Sequence, residues 1–332
     1  MRGYLPLLLA LSAAILAVGL LFGLVPIAPS EAWQALFGGS RTDPTRLVLL
    51  HVRLPRVIVA WVVGSALAVA GCALQGLFRN PLADPSVLGV SAGGALGAQV
   101  LLFLTGGPET MHWLPLAACA GALLATLVVL TLVRGAGSCG MELLVLGGVA
   151  VGQVAIALST LIVSIALADY SVAQRLLRWS LGSLDGRTWT HVAWGVLPTL
   201  AASSWVLLRA RQLDAMMLGE ATALSLGVPV AKLRREVVVA VAILSGVTVA
   251  IAGVVGFVGL VVPHLARRWV GASHSRVVPL AWWLGGAVVV GADTAARTVI
   301  APAELQLGAV TAIVGAPWFI LVLRSRLREA AG

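Results

Sequence analysis

Two arginines in the stretch Val52-Arg53-Leu54-Pro55-Arg56 stand directly before an apolar run that is long enough to cross a bilayer. A guanidinium group presents a fork of donors that can bind a carboxylate through two hydrogen bonds. Pro55 suits the first turn of a helix, so the pair is predicted to lie at a helix N-terminus. Because that end already carries partial positive charge and prefers anions, two cations there call for a functional reason. Contact with lipid phosphates is the alternative.

Residue patterns for other chemistry do not occur in the sequence. There is no G-x-x-x-x-G-K-[ST] motif, and the only lysine, Lys232, follows Val-Pro-Val-Ala. There is also no H-E-x-x-H motif and no clustering of cysteine with histidine. We therefore expect no catalytic residue, no metal site and no cofactor in this chain.

The composition is that of an all-α polytopic membrane protein. The chain has 332 residues, of which 60% are hydrophobic and only 11% are charged, and its formal net charge is +9. The arginines lie at the edges of short loops, which favours orientation signals and lipid headgroup contacts over nucleic-acid binding. We expect a single transmembrane domain over residues 1–332.

About ten spans follow from the hydropathy of the sequence. They are predicted at residues 5–25, 56–78, 87–105, 114–133, 141–166, 190–209, 235–255, 257–269, 277–297 and 306–323. The first is interpreted as an uncleaved span rather than a signal peptide. Val172–Leu181 is too short to span and is predicted to be a helical excursion on one side. The excess of basic residues places both termini in the cytoplasm and puts Arg53 and Arg56 on the outer side.

Glycines recur at helix-packing intervals in two segments, Gly89–Gly97 and Gly253–Gly259. Small residues at such spacing let helices approach closely in lipid, so both segments are predicted to be helix contacts. Ionisable groups deep in the spans are few, and Asp293 is the best candidate. A carrier driven by an ion gradient usually needs such groups, so any transport energy is expected to come from another chain.

The motifs of the chain resemble those of the permease subunits of bacterial ABC importers for haem, iron–siderophore complexes and cobalamin. The similarity begins in "RLPRVIVAWVVGSALAVAGCALQGLFRNPLADPSVLGVSAGGALGA" and continues in "LLRWSLGSLDGRTW", "LGEATALSLGVPV", "GFVGLVVPHLARRWVG" and "ADTAARTVIAPAELQLGAVTAIVGAPWFI". It implies a type II ABC importer permease fold of ten helices that forms a homodimer in the bacterial inner membrane. Two ATPase subunits would dock on the cytoplasmic side, and a periplasmic binding protein would deliver the cargo.

The resemblance also assigns roles to residues at the two faces of the membrane. Acidic residues of the binding protein are expected to dock onto three arginines: Arg53, Arg56 and Arg297. The loop at about 213–228 is expected to form the coupling helices that enter a groove of the ATPase. Its candidate contact residues are Leu218, Gly219, Glu220, Ala221, Leu226 and Gly227, with Glu220 available to pair with a basic residue of the ATPase.

The fifth predicted span carries Gln153, Thr160 and Ser164, whose spacing puts them on one helix face. We expect this face to line the translocation path, with interhelical hydrogen bonding as the alternative. Arg175 and Arg178 lie on the outer gate segment, near Arg187, and suit an anionic cargo. Haem is therefore preferred over a ferric siderophore, with cobalamin third. An ion-driven secondary transporter and a signalling subunit are the remote alternatives.

Overall fold

The computed structural model describes residues 5–23, 26–38, 43–105, 113–134 and 140–331, and the regular structure within them is helical. The α-helices are α1 Leu5–Leu21, α2 Pro29–Phe37, α3 Pro44–Leu47, α4 Leu54–Phe78, α5 Val90–Thr105, α6 Leu114–Leu132, α7 Gly140–Ala166, α8 Tyr170–Ser180, α9 Trp189–Leu208, α10 Ala210–Met217, α11 Glu220–Ser225, α12 Val230–Ala252, α13 Val258–Val270, α14 His274–Thr298 and α15 Leu307–Ala331. A π-helical segment, Val48–Arg53, joins α3 to α4.

Each of the ten predicted spans coincides with one of these helices, and the predicted excursion at Val172–Leu181 is α8. By length and apolar composition, six helical segments of the described residues are able to cross a membrane. They are Pro44–Phe78, Leu114–Leu132, Glu142–Ala166, Trp189–Leu208, Val230–Ala252 and His274–Thr298. Shorter apolar helices occur at Ala10–Leu21, Val90–Thr105 and Leu307–Leu321.

Helix α4 is the centre of the bundle, and 89% of the most apolar stretch of its segment is buried against other helices. Its small residues explain the close packing. A Cβ atom added at Gly64 would overlap the carbonyl oxygen of Gly285 in α14, and one at Gly71 would overlap that of Gly259 in α13. Ser65 Oγ also donates a hydrogen bond of 2.7 Å to the carbonyl of Trp282. Backbones this close gain dispersion energy and polar contacts that larger side chains would prevent.

The prediction of a helix N-terminus at Pro55 is wrong. The helical rod begins at Pro44, where Asp43 Oδ1 accepts a hydrogen bond from Thr45 N at 2.9 Å, and it continues through the π segment into α4. In a π register the Leu50 carbonyl would be bonded by residue 55, and proline has no N–H to donate. Trp189 Nε1 donates to that carbonyl instead, at 3.0 Å. The two arginines therefore lie inside a continuous helix, without the field of a helix N-terminus.

The glycine prediction is confirmed in the first segment and only in part in the second. A Cβ atom at Gly97 would overlap the Ala117 carbonyl of α6, so this part of α5 is a close helix contact. In the second segment Gly259 packs tightly against α4, and a Cβ atom at Gly253 would overlap the Trp179 carbonyl of α8. Gly253 ends α12 with a φ of +74°, a left-handed conformation that favours glycine, and a Cβ atom at Gly256 would meet nothing within 4 Å.

Candidate functional site

The three predicted docking arginines do lie together, in a cluster that contains two acidic residues. Arg56 Nη2 lies 2.9 Å from Asp293 Oδ1 and 3.0 Å from Glu304 Oε2, and Arg297 Nε lies 3.2 Å from Asp293 Oδ2. Arg53 and Arg297 both flank Gly23. We call these five charged residues the arginine cluster. It joins α4 to α14 and to the loop before α15.

Two of these arginines also cap the C-terminus of α1. Arg53 Nη1 donates to the carbonyls of Leu20 and Leu21 at 2.7 and 2.8 Å. Arg297 Nη2 donates to the carbonyl of Gly19 at 2.8 Å. The last carbonyls of a helix have no partner within the helix and carry its partial negative charge, so cations stabilise that end.

All three guanidinium groups are buried within the chain. The exposed fractions are 6% for Arg53, 8% for Arg56 and 3% for Arg297, and Asp293 is only 1% exposed. The side chain of Glu304 is 24% exposed, so it is the acid of the cluster that faces outward. The cluster contains three cations and two carboxylates, which leaves one positive charge in excess.

Helix α8, the predicted outer gate segment, is capped by Asp169, whose carboxylate accepts hydrogen bonds from the Ser171 side chain and from the backbone N–H groups of Ser171 and Val172. These bonds, the side-chain one first, lower the pKa of Asp169. Arg175 Nη2 lies 3.4 Å from Ser171 Oγ, and the side chain of Arg178 lies outside the described residues.

Arg187 lies in the loop between α8 and α9, close enough to Arg56 for the two charges to repel. Its Nη2 donates to the carbonyl of Ser183 at 3.0 Å. Burial lowers the pKa of Arg187 to about 10; Asp185 opposes this decrease and Arg56 adds to it. Arg187 is thus electrostatically coupled to the arginine cluster, and it is not among the described residues that line the groove at α7.

A groove of about 700 Å³ runs between α5, α7 and α8, and Gln153, Thr160 and Ser164 all line it. The prediction that they share one helix face is thereby confirmed. Most of the surface of this groove is apolar; we call it the polar groove for the hydroxyl and amide side chains along it. The hydroxyl groups of Thr160 and Ser164 donate to carbonyls of their own helix, those of Ile156 and Thr160, at 2.9 Å. All the described lining residues of this groove are uncharged. Such a surface offers weak hydrogen bonds without a strong electrostatic trap.

At the other end of the bundle, α10 and α11 form a short unit with exposed leucines. Leu218 is 67% exposed and Leu226 is 62% exposed. Gly219 and Gly227 bracket α11 with φ values of +115° and +79°, which residues with a side chain rarely adopt. Ala221 is exposed on the same short helix, whereas Ala223 is buried against the bundle. We call residues 210–228 the α10–α11 segment.

Glu220 has a partner within the chain, because Arg234 Nη2 lies 3.1 Å from its Oε1. The structure therefore gives Glu220 a role in fixing α11 to α12. The predicted pairing of Glu220 with a basic residue of the ATPase would require Glu220 to leave Arg234.

A second set of polar contacts fixes α10 to the start of α14. Asp214 accepts hydrogen bonds from His274 N at 2.8 Å, from His274 Nδ1 at 2.6 Å and from Ser273 Oγ at 2.9 Å. Burial alone would raise the pKa of Asp214, but these hydrogen bonds outweigh it and lower the pKa below its ordinary value. His274 Nε2 in turn lies against Gly76 near the end of α4. Helices α4 and α14 thus connect the arginine cluster at one end to the α10–α11 segment at the other.

Comparisons with known proteins agree with this architecture. The FecCD transport family matches residues 8–325. The chain belongs to the FecCD transport family. This FecCD chain is 38% identical over 304 residues to the hemin transport system permease protein HmuU of Yersinia pestis, covering 90% of the chain and 89% of HmuU.

The names of two further relatives of the FecCD chain refer to other cargoes. The vitamin B12 import system permease protein BtuC of Vibrio vulnificus is 39% identical over 321 residues, which cover 96% of the chain and 92% of BtuC. The iron(3+)-hydroxamate import system permease protein FhuG of Bacillus subtilis is 36% identical over 315 residues, which cover 92% of each protein.

Solved structures confirm the type of fold. An ABC transporter in an inward-facing conformation has a TM-score of 0.83 at 29% identity and covers 97% of the FecCD chain and 100% of its own. PsaBC from Streptococcus pneumoniae has a TM-score of 0.57 at 17% identity, covers 83% of the FecCD chain and 92% of its own chain, and shares the fold alone. The predicted family and the predicted all-α permease fold are confirmed.

Sequence reasoning missed the partners of the charged residues. The pairing of Asp293 with Arg297 could have been found, because the two lie four residues apart on one helix face. The contacts of Arg56 with Glu304, and of Asp214 with His274, carry no local signal, since their members are 248 and 60 residues apart.

Proposed function

We propose that this ABC importer permease moves an iron chelate from a periplasmic binding protein into the cytoplasm, with haem as the preferred cargo. The coarser function, import of an iron chelate or cobalamin as a permease, is that of the family and of its relatives. The observation that carries the proposal is the arrangement of two separate sites at opposite ends of α4 and α14. One site offers arginines and the other offers exposed leucines, which suits two different partners.

The α10–α11 segment is proposed to receive the ATPase, which supplies the energy from a separate, catalytic chain. Its exposed Leu218 and Leu226 provide apolar contacts on an otherwise short polar unit. The glycines on either side set its angle, and the contacts of Asp214 and Glu220 fix it to α14 and α12. A displacement of this segment by the ATPase would therefore be transmitted directly to α12 and α14.

The binding protein is proposed to dock at the arginine cluster. Because Arg56 and Arg297 are buried and already paired with acids, an incoming carboxylate would reach them by replacing a resident one. Glu304 is the candidate for replacement, since it is the more exposed of the two acids and lies in a loop. Substitution of Glu304 by Gln should therefore strengthen docking of an acidic binding protein, and the same change at the exposed Glu142 in α7 should not.

A homodimer is proposed because the polar face of α7 would otherwise be exposed to lipid. Only 17% of the most apolar stretch of α7 is buried within one chain, and Gln153 lies exposed in the middle of this span. Polar side chains within spans face a bundle interior or a water-filled cavity rather than lipid. A second copy facing the groove would enclose a weakly polar path between the two chains.

Haem is preferred as cargo because Arg175 lies on the gate helix beside a groove whose described lining is uncharged. Cationic groups at the mouth suit the carboxylates of haem, while the path itself would release the cargo. A ferric siderophore or cobalamin as cargo is the alternative, as relatives named for each exist. Ion-driven transport is disfavoured, because Asp293 is held by Arg56 and Arg297.

The test is uptake into proteoliposomes that contain the permease with an ATPase subunit. Haem, a ferric hydroxamate and cobalamin are offered in turn, each on a binding protein that carries it. ATP-dependent accumulation of haem alone is the expected result. Uptake of another cargo would refute the choice of haem, and uptake without the ATPase would refute the importer mechanism. Protease protection of terminal tags in inner-membrane vesicles tests the proposed cytoplasmic location of both termini.

A further inference from the structure

A second groove, of about 580 Å³, lies between α9 and α12 at the end of the bundle that carries the α10–α11 segment. Its walls are formed by Trp205, Val239 and Ile243 together with small alanines. Its rim carries Lys232, Arg235 and Glu236. Both helices are long and apolar enough to cross a membrane, and only 28% of the most apolar stretch of α9 is buried. The groove therefore lies on the periphery of the described bundle, on a face that the rest of the described chain leaves uncovered.

The rim has an excess of positive charge that its own acid does not neutralise. Glu236 Oε2 lies 3.4 Å from Arg209 Nε, and Glu236 Oε1 lies 3.9 Å from Lys232 Nζ. Arg235 is exposed beside them. Three cations thus face one carboxylate, a surplus of two positive charges. The guanidinium carbon of Arg209 lies 5.4 Å from the centre of the Trp205 ring, which holds this cation at the boundary between wall and rim.

We propose that this groove binds an anionic phospholipid. The apolar wall would take an acyl chain, and Lys232 and Arg235 would hold the phosphate at the rim. Basic pockets between membrane helices recognise anionic headgroups in this way. Long basic side chains next to apolar surface can cover the chain with their stems while their charged ends reach the phosphate. The site is separate from the arginine cluster and from the polar groove, so it stands independently of the proposed cargo.

Native mass spectrometry of the full chain in detergent tests the site with defined probes. The probes are dioleoyl phosphatidylglycerol, dioleoyl phosphatidylcholine with the same chains, and glycerol 1-phosphate as a headgroup without chains. Phosphatidylglycerol should bind in preference to phosphatidylcholine, and glycerol 1-phosphate should not displace it. R235Q should weaken phosphatidylglycerol binding about fivefold, the effect of one cation near a membrane surface.

Two further variants test whether the effect of R235Q is specific to the groove. R276Q removes the same charge from an exposed arginine of α14 outside the groove, and should leave affinity unchanged within about twofold. E236Q removes the carboxylate from the rim, and should strengthen phosphatidylglycerol binding, which a variant that merely disturbed the fold would not do.

Three results would overturn the proposal. Equal binding of phosphatidylglycerol and phosphatidylcholine would show that the rim does not select charge. Equal losses in R235Q and R276Q would show a diffuse field rather than a site. Unchanged lipid binding in R235Q together with reduced co-purification of an ATPase subunit would assign the rim to a protein partner.

Discussion

Replacing Asp293 by Asn removes the charge that joins Arg56 of α4 to Arg297 of α14. Asp293 is 1% exposed and contacts both guanidinium groups at 2.9 and 3.2 Å. Without this charge, Glu304 is the one carboxylate left in the cluster, and the other described acceptors near the two buried cations are uncharged. We therefore expect D293N to lower the free energy of unfolding and to loosen the packing of α14 on α4 at this end.

The size of the effect follows from burial. Breaking a buried ion pair by removing one partner costs about 3–5 kcal/mol, because the remaining charge stays buried without compensation. Glu304 also contacts Arg56 but is 24% exposed, and solvent screening reduces the contribution of such a pair to about 1 kcal/mol. D293N should thus be several times more destabilising than E304Q. E142Q, at an exposed acid of α7, should change stability by less than about 0.5 kcal/mol.

Unfolding in mixed micelles with increasing sodium dodecyl sulfate measures these differences, and the 11 tryptophans of the chain report it by fluorescence. The double variant R56Q/D293N provides a second check. Because the two residues are in contact, its loss should differ from the sum of the single losses by about 0.5–3 kcal/mol. Equal stability of D293N and E304Q, or additive losses in the double variant, would refute the idea that the cluster holds buried charge in mutual compensation.

Three other predictions concern packing, acid stability and partner binding. In α14, G285A should destabilise the protein, because its Cβ would overlap the carbonyl of Gly64, whereas G291A should be tolerated, since nothing lies within 4 Å; unfolding curves compare the two. The pKa of Asp214 is lowered in the folded protein, so this residue stabilises the fold above its unfolded pKa, near 3.9. That stabilisation is lost as the pH falls through the folded pKa. A series of melting temperatures from pH 6 to pH 3 should therefore decrease less steeply for D214N. L226S should reduce co-purification of the ATPase subunit without lowering the melting temperature, because Leu226 is 62% exposed; a lower melting temperature would mean that this leucine packs within the fold.

Much of the fold could be predicted because the signals for spans are local. A helix in lipid must satisfy its backbone internally and present apolar side chains along its length, and both demands are visible in a window of about 20 residues. The α8 excursion was identifiable for the same reason, since a run of 11 residues is too short to cross. The spacing of Gln153, Thr160 and Ser164 was sufficient to place them on one face.

The start of the central helix was predicted wrongly because the decisive partner is far away. Pro55 locally favours a first helical turn, and the Leu50 carbonyl, which a proline leaves without its donor, is bonded by the distant Trp189 instead. The glycines of Gly253–Gly259 show the same limit. Spacing cannot distinguish a helix contact from a break between two helices, which depends on the neighbours that each glycine meets.

From the sequence one can predict the class of protein, the order of the spans, the resemblance to a permease family and the residues to consider at each face. These properties depend on composition, periodicity and short motifs, all of which are local. Contacts between distant helices are needed to show that Arg53, Arg56 and Arg297 are buried and bonded, and that Asp214 holds the α10–α11 segment on α14. The physical reason is that the burial and pairing of a charged side chain depend on its neighbours in space. The partners of Arg56 lie 237 and 248 residues away along the chain.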